Sequence, residues 1–497
     1  MILDFEYRNK QLLISEIDEN GDIKVNYYPW SSPKKFVTTT EDDKDKSPTY
    51  TTWDNKPVKT QYTPRPNRFS IYEYLDRLEP KEKERLFAYQ EPKTFFMDIE
   101  TEILDTGFVE PVDATSKVLT VAIVRDRDVW VLGIRPLSKA KCDSVRTRIE
   151  SHFKKFDMKV NFKYMTFHNR ENPEKELLRY LFESLIPKMP VISGWNFVAY
   201  DWTFLINRCR RIGLSPEVAS YTKKLETIFN TDYEVPAHRL IIDYMELYKK
   251  WDTSVKVKES SSLNWVSEKI LDLDDGAKIQ YSGTLQDLYN NDFETYVFYN
   301  AVDTMLVQLI HEKMQYITIA FSITALAKIR LCDFAYKNLN ATLVTTEGFL
   351  RENFRSEKNI VMCKDYGEVI ADSIPGGWVK TPNKGMNEWV ATYDFASLYP
   401  TVQRQHNIAP ETFKGFQIKD NPQFADFYGE KKLIDDDDIV CVNGAVFTKS
   451  ESVTVNFLAN VYAERQKYKG MMKGEYKKIN NIEKEILKLE EELEKIQ

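Results

Sequence analysis

A chain of 497 residues with 42% hydrophobic and 29% charged side chains has room for about three domains. Its composition excludes collagen-like, mucin-like and wholly disordered proteins. A formal net charge of −7 gives no global basic footprint, so any nucleic-acid binding must come from local clusters or metal ions.

Cys142, Cys209, Cys332, Cys363 and Cys441 are odd in number and include no Cys-x-x-Cys, which argues against a disulfide framework or a structural zinc site. The start, Met1-Ile-Leu-Asp-Phe-Glu, lacks the basic flank and apolar run of a signal peptide. The most apolar window, Ile317 to Ile329, is too short to span a bilayer, so a soluble protein without a membrane partner is expected. Ser31 to Asn67 is rich in Pro, Thr, Asp and Lys and reads as irregular or as a long, exposed insertion in a small N-terminal domain. From Lys93 onward, β-rich runs at Thr94–Glu100, Val118–Val124 and Val129–Ile134 precede helix-like stretches at Glu174–Leu185 and Trp202–Arg211. That alternation predicts an α/β domain. A helical pattern follows from Thr304 to Lys337, a strand is predicted at Trp389–Asp394, and Val453 to Gln497 reads as one long helix with a break at Gly470 or Gly474. Neither a P-loop nor Gly-x-Gly-x-x-Gly is present.

Asp98 and Glu100 end an apolar strand and, by its alternation, share one face. The pair alone fits an acidic turn as well as a shared metal. Asp201 follows a Gly-containing turn at the start of a helix that stops at Gly213, where by itself it reads as a helix cap. Tyr299 and Asp303 stand four apart on one helical face. Together Asp98, Glu100, Asp201 and Asp303 supply hard oxygen ligands for a pair of magnesium ions, with Tyr299 to orient a water. This ordered set resembles the DEDD-type 3′→5′ exonucleases, in the tyrosine-containing subgroup attached to family B DNA polymerases. The resemblance implies an RNase H-like fold with a mixed sheet, two divalent cations (magnesium or manganese), and hydrolysis of the terminal phosphodiester.

Thr392-Tyr-Asp-Phe-Ala-Ser-Leu-Tyr-Pro-Thr is similar to the first palm motif of family B polymerases. By that resemblance Asp394 is catalytic and binds two magnesium ions with the Phe395 carbonyl, while Phe395, Ser397, Leu398 and Tyr399 line the nucleotide site. Gln403–Thr412, Val442–Phe447 and Gly376-Gly-Trp-Val-Lys380 extend the likeness, which is to the replicative polymerases of T-even bacteriophages. Arg465 and Lys469 share a helical face and match the first fingers helix, where such residues grip the incoming triphosphate. Ile482, Ile486, Leu489, Leu493 and Ile496 recur in an a/d pattern, read as a seam for a returning helix from a second polypeptide, with a frayed terminus or a homodimeric zipper as alternatives. Asp435 to Asp438 reads as a solvated loop, and His152, His168, His238, His311 and His406 show no ligand spacing.

The resemblance divides the multidomain α+β chain into an N-terminal domain at 1–92, completed by about 319–362, an exonuclease domain at 93–318, a partial palm at 363–452 and a partial fingers helix at 453–497. It implies the N-terminal subunit of a split family B DNA polymerase, in the cytoplasm of an infected bacterial host. The expected partners are a C-terminal polymerase chain forming a heterodimer, primer-template and single-stranded DNA, dNTPs, and a sliding clamp reached through the second chain. The competing readings are an autonomous exonuclease in repair or RNA processing and a non-enzymatic scaffold.

Overall fold

The structure is a computed structural model. It describes residues 1–39, 50–52, 56–104, 107, 109–228, 230–252, 259–273, 277–279, 281, 283–336, 348–351, 353–354, 360–361, 380–382, 384–386, 388–416, 437–441 and 444–496. The chain is mixed α/β. It forms two compact units, Met1–Pro33 with Tyr72–Phe349 and Lys34–Ile71 with Leu350–Gln497.

In the first unit, β1 (Ile2–Arg8), β2 (Gln11–Ile17) and β3 (Ile23–Pro29) make an antiparallel meander. The larger sheet has six strands: β4 (Thr94–Thr101), β5 (Val118–Arg125), β6 (Asp128–Gly133), β7 (Asn161–Thr166), β8 (Val191–Gly194) and β9 (Leu240–Asp243). Their order is β7-β6-β5-β4-β8-β9, with β4, β5 and β6 antiparallel and the outer pairings parallel. β5 is an unbroken run of buried residues from Val118 to Val124, as a strand covered on both faces requires. α5 (Phe293–Met314) lies across β4 and β5, and its side chains from Tyr296 to Ile310 are all buried. The helical pattern around Thr304 therefore begins earlier than expected, at Phe293. It is interrupted at Gln315, whose φ of 56° ends the helix, before Tyr316–Leu326 and Leu331–Ala335 continue. Lys337 lies outside the described residues.

α1 (Pro173–Tyr180) and α2 (Thr203–Arg211) are locked together by a buried bidentate pair, Arg208 Nε and Nη2 each 2.7 Å from Glu174. α2 ends before Gly213, whose φ of +72° suits a residue without a side chain. α3 (Tyr244–Trp251) follows β9 directly, and α4 (Leu263–Leu271) completes the elements around the site.

In the second unit the segment expected to be irregular forms a three-stranded antiparallel sheet of Lys34–Thr38, Tyr50–Thr51 and Pro57–Tyr62. Phe36, Val58 and Val361 supply its small core, which outweighs the turn-forming composition. Glu41 to Lys46 lies outside the described residues. The strand expected at Trp389–Asp394 does not form. That stretch is irregular and exposed, Trp389 to 99%, and no described strand pairs with it to satisfy its backbone. α6 (Leu398–Gln405) does form. α7 (Val453–Ile496) runs 44 residues without a break at Gly470 or Gly474, so a glycine's propensity cost is absorbed by the turns on either side. Asp438 is not a solvated loop residue: its carboxylate pairs with Lys414 at 2.6 Å, while Asp437 is exposed and Asp435 lies outside the described residues. Among the described residues the cysteines are free, and no helix is long and apolar enough to cross a membrane.

Candidate active site

β4 presents Asp98 and Glu100 on one face, opposite the small residues Ala122 and Thr120 of β5. Asp201 reaches the same place by a different route. It is not a helix cap: it sits inside a wide π-helical turn, Val198–Trp202, that leads into α2. Its Oδ1 accepts a hydrogen bond of 3.0 Å from the amide of Ile99, the residue between the two β4 acids. The turn fits tightly, because a Cβ on Gly194 would lie 2.4 Å from the Met97 carbonyl. Asp303 and Tyr299 come from α5, one turn apart. These five sequence-predicted side chains are thus brought into one neighbourhood.

Two partners escaped the sequence reading. Lys278 places Nζ 2.5 Å from Asp303 Oδ2 and donates to the Tyr299 hydroxyl at 3.2 Å. Nothing in its sequence surroundings marks it. Asn300 donates from Nδ2 to Asp98 Oδ2 at 2.7 Å. Its signal was available, as a polar residue next to Tyr299 within the otherwise apolar and aromatic stretch Tyr296–Val302.

Electrostatics follow from this crowding. Burial, and then the Asp303 charge, pushes Asp98 up to about 7. Burial with Asp98 beside them raises Glu100 and Asp201 well above the usual carboxylate range. Burial also raises Asp303, against the opposing pull of Lys278. Burial and the Asp303 charge raise the Tyr299 phenol, so it keeps its proton at neutral pH. Such a set is costly without positive charge, which Lys278 supplies here.

Among the described residues, no three acidic, histidine or cysteine side chains already stand in a metal-binding arrangement. The donor set nevertheless suits divalent cations: four hard carboxylates converge, and Asp303 Oδ1 is buried without a hydrogen-bond partner. Beside them opens a cavity of about 430 Å³, lined by Asp98, Trp195, Met245, Lys249, Lys278 and Asp303. That volume falls in the range of roughly 300–1,000 Å³ usual for ligand sites.

The second unit holds the other predicted site residues. Asp394 is exposed, Phe395 and Tyr399 are 75% and 79% exposed, and Ser397 adopts a φ of 53° just before α6. Leu398 opens that helix, and Arg465 and Lys469 are exposed on α7. Most of Gly376 to Lys380, and Val442 and Asn443, lie outside the described residues, as do the side chains of Leu493 and Ile496.

Residues 336–491, which carry the Asp394 motif, match DNA polymerase family B. The chain is a T4-like relative of the family B DNA polymerases. It is 28% identical over 321 residues to the DNA-directed DNA polymerase of Escherichia phage RB69, covering 62% of this chain and 33% of that protein. It is 26% identical over 336 residues to the DNA-directed DNA polymerase of Enterobacteria phage T4, covering 65% of this chain and 35% of that one. DNA polymerase 1 of Pyrococcus abyssi is 31% identical over 111 residues, 22% of this chain and 12% of the relative. This family B polymerase relative therefore spans about a third of the length of the phage proteins it matches.

Proposed function

We propose that this protein is a 3′→5′ exonuclease that removes terminal nucleotides from DNA and serves as the proofreading part of a phage DNA polymerase. The observation that carries the reading is the convergence of Asp98, Glu100, Asp201 and Asp303 from three separate elements, with the Tyr299 hydroxyl beside them. Those four carboxylates would hold two magnesium or manganese ions, which supply a lowered water pKa and charge stabilisation at the phosphorus.

The chain's own residues do the rest. Tyr299, protonated and tethered by Lys278, orients a water without acting as a base. Asn300 fixes the Asp98 carboxylate, and the adjoining cavity accepts the terminal nucleotide.

We further propose that Asp394 contributes to template-directed nucleotide addition together with palm, fingers and thumb residues carried on a second polypeptide. Two-metal transfer needs more carboxylates than Asp394 alone provides. Trp389, Tyr393, Phe395 and Tyr399 are each exposed, and large apolar side chains left in water are ones a partner can cover. In this reading primer-template DNA and dNTPs bind the assembled heterodimer, and a sliding clamp is reached through the second chain.

The decisive assay is digestion of 5′-labelled single-stranded DNA with magnesium. The wild-type protein should shorten it from the 3′ end, and the double variant Asp98→Ala, Glu100→Ala should lose activity by orders of magnitude. Absence of any digestion by the wild-type protein overturns the exonuclease reading.

A further inference from the structure

Asp243 is the last residue of β9, 6% exposed, and its two carboxylate oxygens face different elements. Oδ1 accepts from the amides of Met245 at 3.0 Å and Glu246 at 3.3 Å, capping α3. Oδ2 accepts from the amide of Val198 at 3.1 Å, at the head of the π-helical turn that carries Asp201. The carbonyl of Val198 is held in turn by Thr203 Oγ1 at 2.7 Å. The turn, tied to β9 at Val198 and closed on itself by Thr203, then delivers Asp201 Oδ1 to the Ile99 amide, between Asp98 and Glu100.

We infer that Asp243 is a positioning residue of the nuclease site, acting through the Val198 amide to hold Asp201 in register with the β4 carboxylates. The inference rests on the exonuclease reading. The physical reason is that π-helical turns are wider and less stable than the α-helix, so this one needs an outside acceptor to stay in place. A cap by itself requires only one oxygen. The second oxygen, spent on a neighbouring element, is what separates a tether from a cap. Residues that orient metal-binding groups in this way are worth about 10–100-fold in metal affinity.

Asp243→Ser separates the two duties, since a serine still caps α3 but its single short hydroxyl cannot also reach Val198. In the full chain, this variant should keep the wild-type circular dichroism. Its Mn²⁺ dissociation constant, by calorimetry, should rise by about tenfold or more. Its kcat on single-stranded DNA should fall while KM holds. Asp243→Asn, which keeps the shape but loses one acceptor, should lie between the two and covers the case in which the serine variant fails to fold. An active wild type, with folded Asp243→Ser or Asp243→Asn indistinguishable from it in Mn²⁺ affinity and kcat, overturns this inference alone. A wild type that neither binds Mn²⁺ nor digests DNA overturns the exonuclease reading and this inference with it.

Discussion

Asp98 is where the site's chemistry and the protein's stability meet. Its carboxyl is pushed up to about 7 by burial and the Asp303 charge, against an ordinary value near 4. Between those limits the folded chain holds a proton that the unfolded chain releases. The group therefore favours folding most on the acid side, and that contribution is lost as pH rises through about 7. In chelator, the thermal midpoint should fall between about pH 5 and pH 8, magnesium should restore it at the alkaline end, and Asp98→Asn should flatten the slope. A midpoint that rises over that interval in wild type but not in the variant would contradict the assignment. Lys278 offers a second test. Its ammonium compensates Asp303 and is 30% exposed on its side chain. Lys278→Met should therefore cost the metal-free protein about 2 kcal/mol, below the full penalty for breaking a buried pair, and added magnesium should recover much of it. Urea titrations with and without the cation would measure both.

At the scale of elements, close approach decides which changes are tolerated. Gly194 sits where a Cβ would meet the Met97 carbonyl at 2.4 Å and the Phe197 ring at 2.9 Å. Gly194→Ala should push β8 and the π-helical turn away from β4, costing about 1–3 kcal/mol as overpacked sites do and weakening cation binding. Gly470 and Gly474 lie in α7 with nothing within 4 Å of an added Cβ. Alanine at either should raise stability by up to about 1 kcal/mol, read as a sharper helical melt by circular dichroism. These contrasts show what the sequence made legible. The β4, β5 and β6 strands follow from short runs rich in apolar and β-branched residues, and Tyr299 with Asp303 from helical spacing. The π-helical turn at Asp201 leaves no periodic signature, since it depends on tertiary acceptors such as Asp243. The absent strand at Trp389–Asp394 fails for the converse reason: apolar alternation marks a strand only where another backbone pairs with it.

For the whole molecule, the two proposed activities should separate by what each requires. Digestion of single-stranded DNA should proceed with this chain alone. Extension of a primed template should require mixing it with a polypeptide carrying the remaining palm, fingers and thumb. If the mixture neither extends a primer nor associates by ultracentrifugation, the autonomous exonuclease reading takes over. The exposed Ile482, Ile486 and Leu489 on α7 give that association a surface to lose. Their replacement by serine should abolish extension and spare digestion.

The sequence by itself paired Asp98 with Glu100 and Tyr299 with Asp303, because strand alternation and helical spacing are local rules, while Asp201 joined them only through the family resemblance. Only the tertiary structure decided that Lys278, Asn300 and Asp243 belong with them. Their role arises from distance in space, and neither burial nor the company of like charges is written in a local pattern.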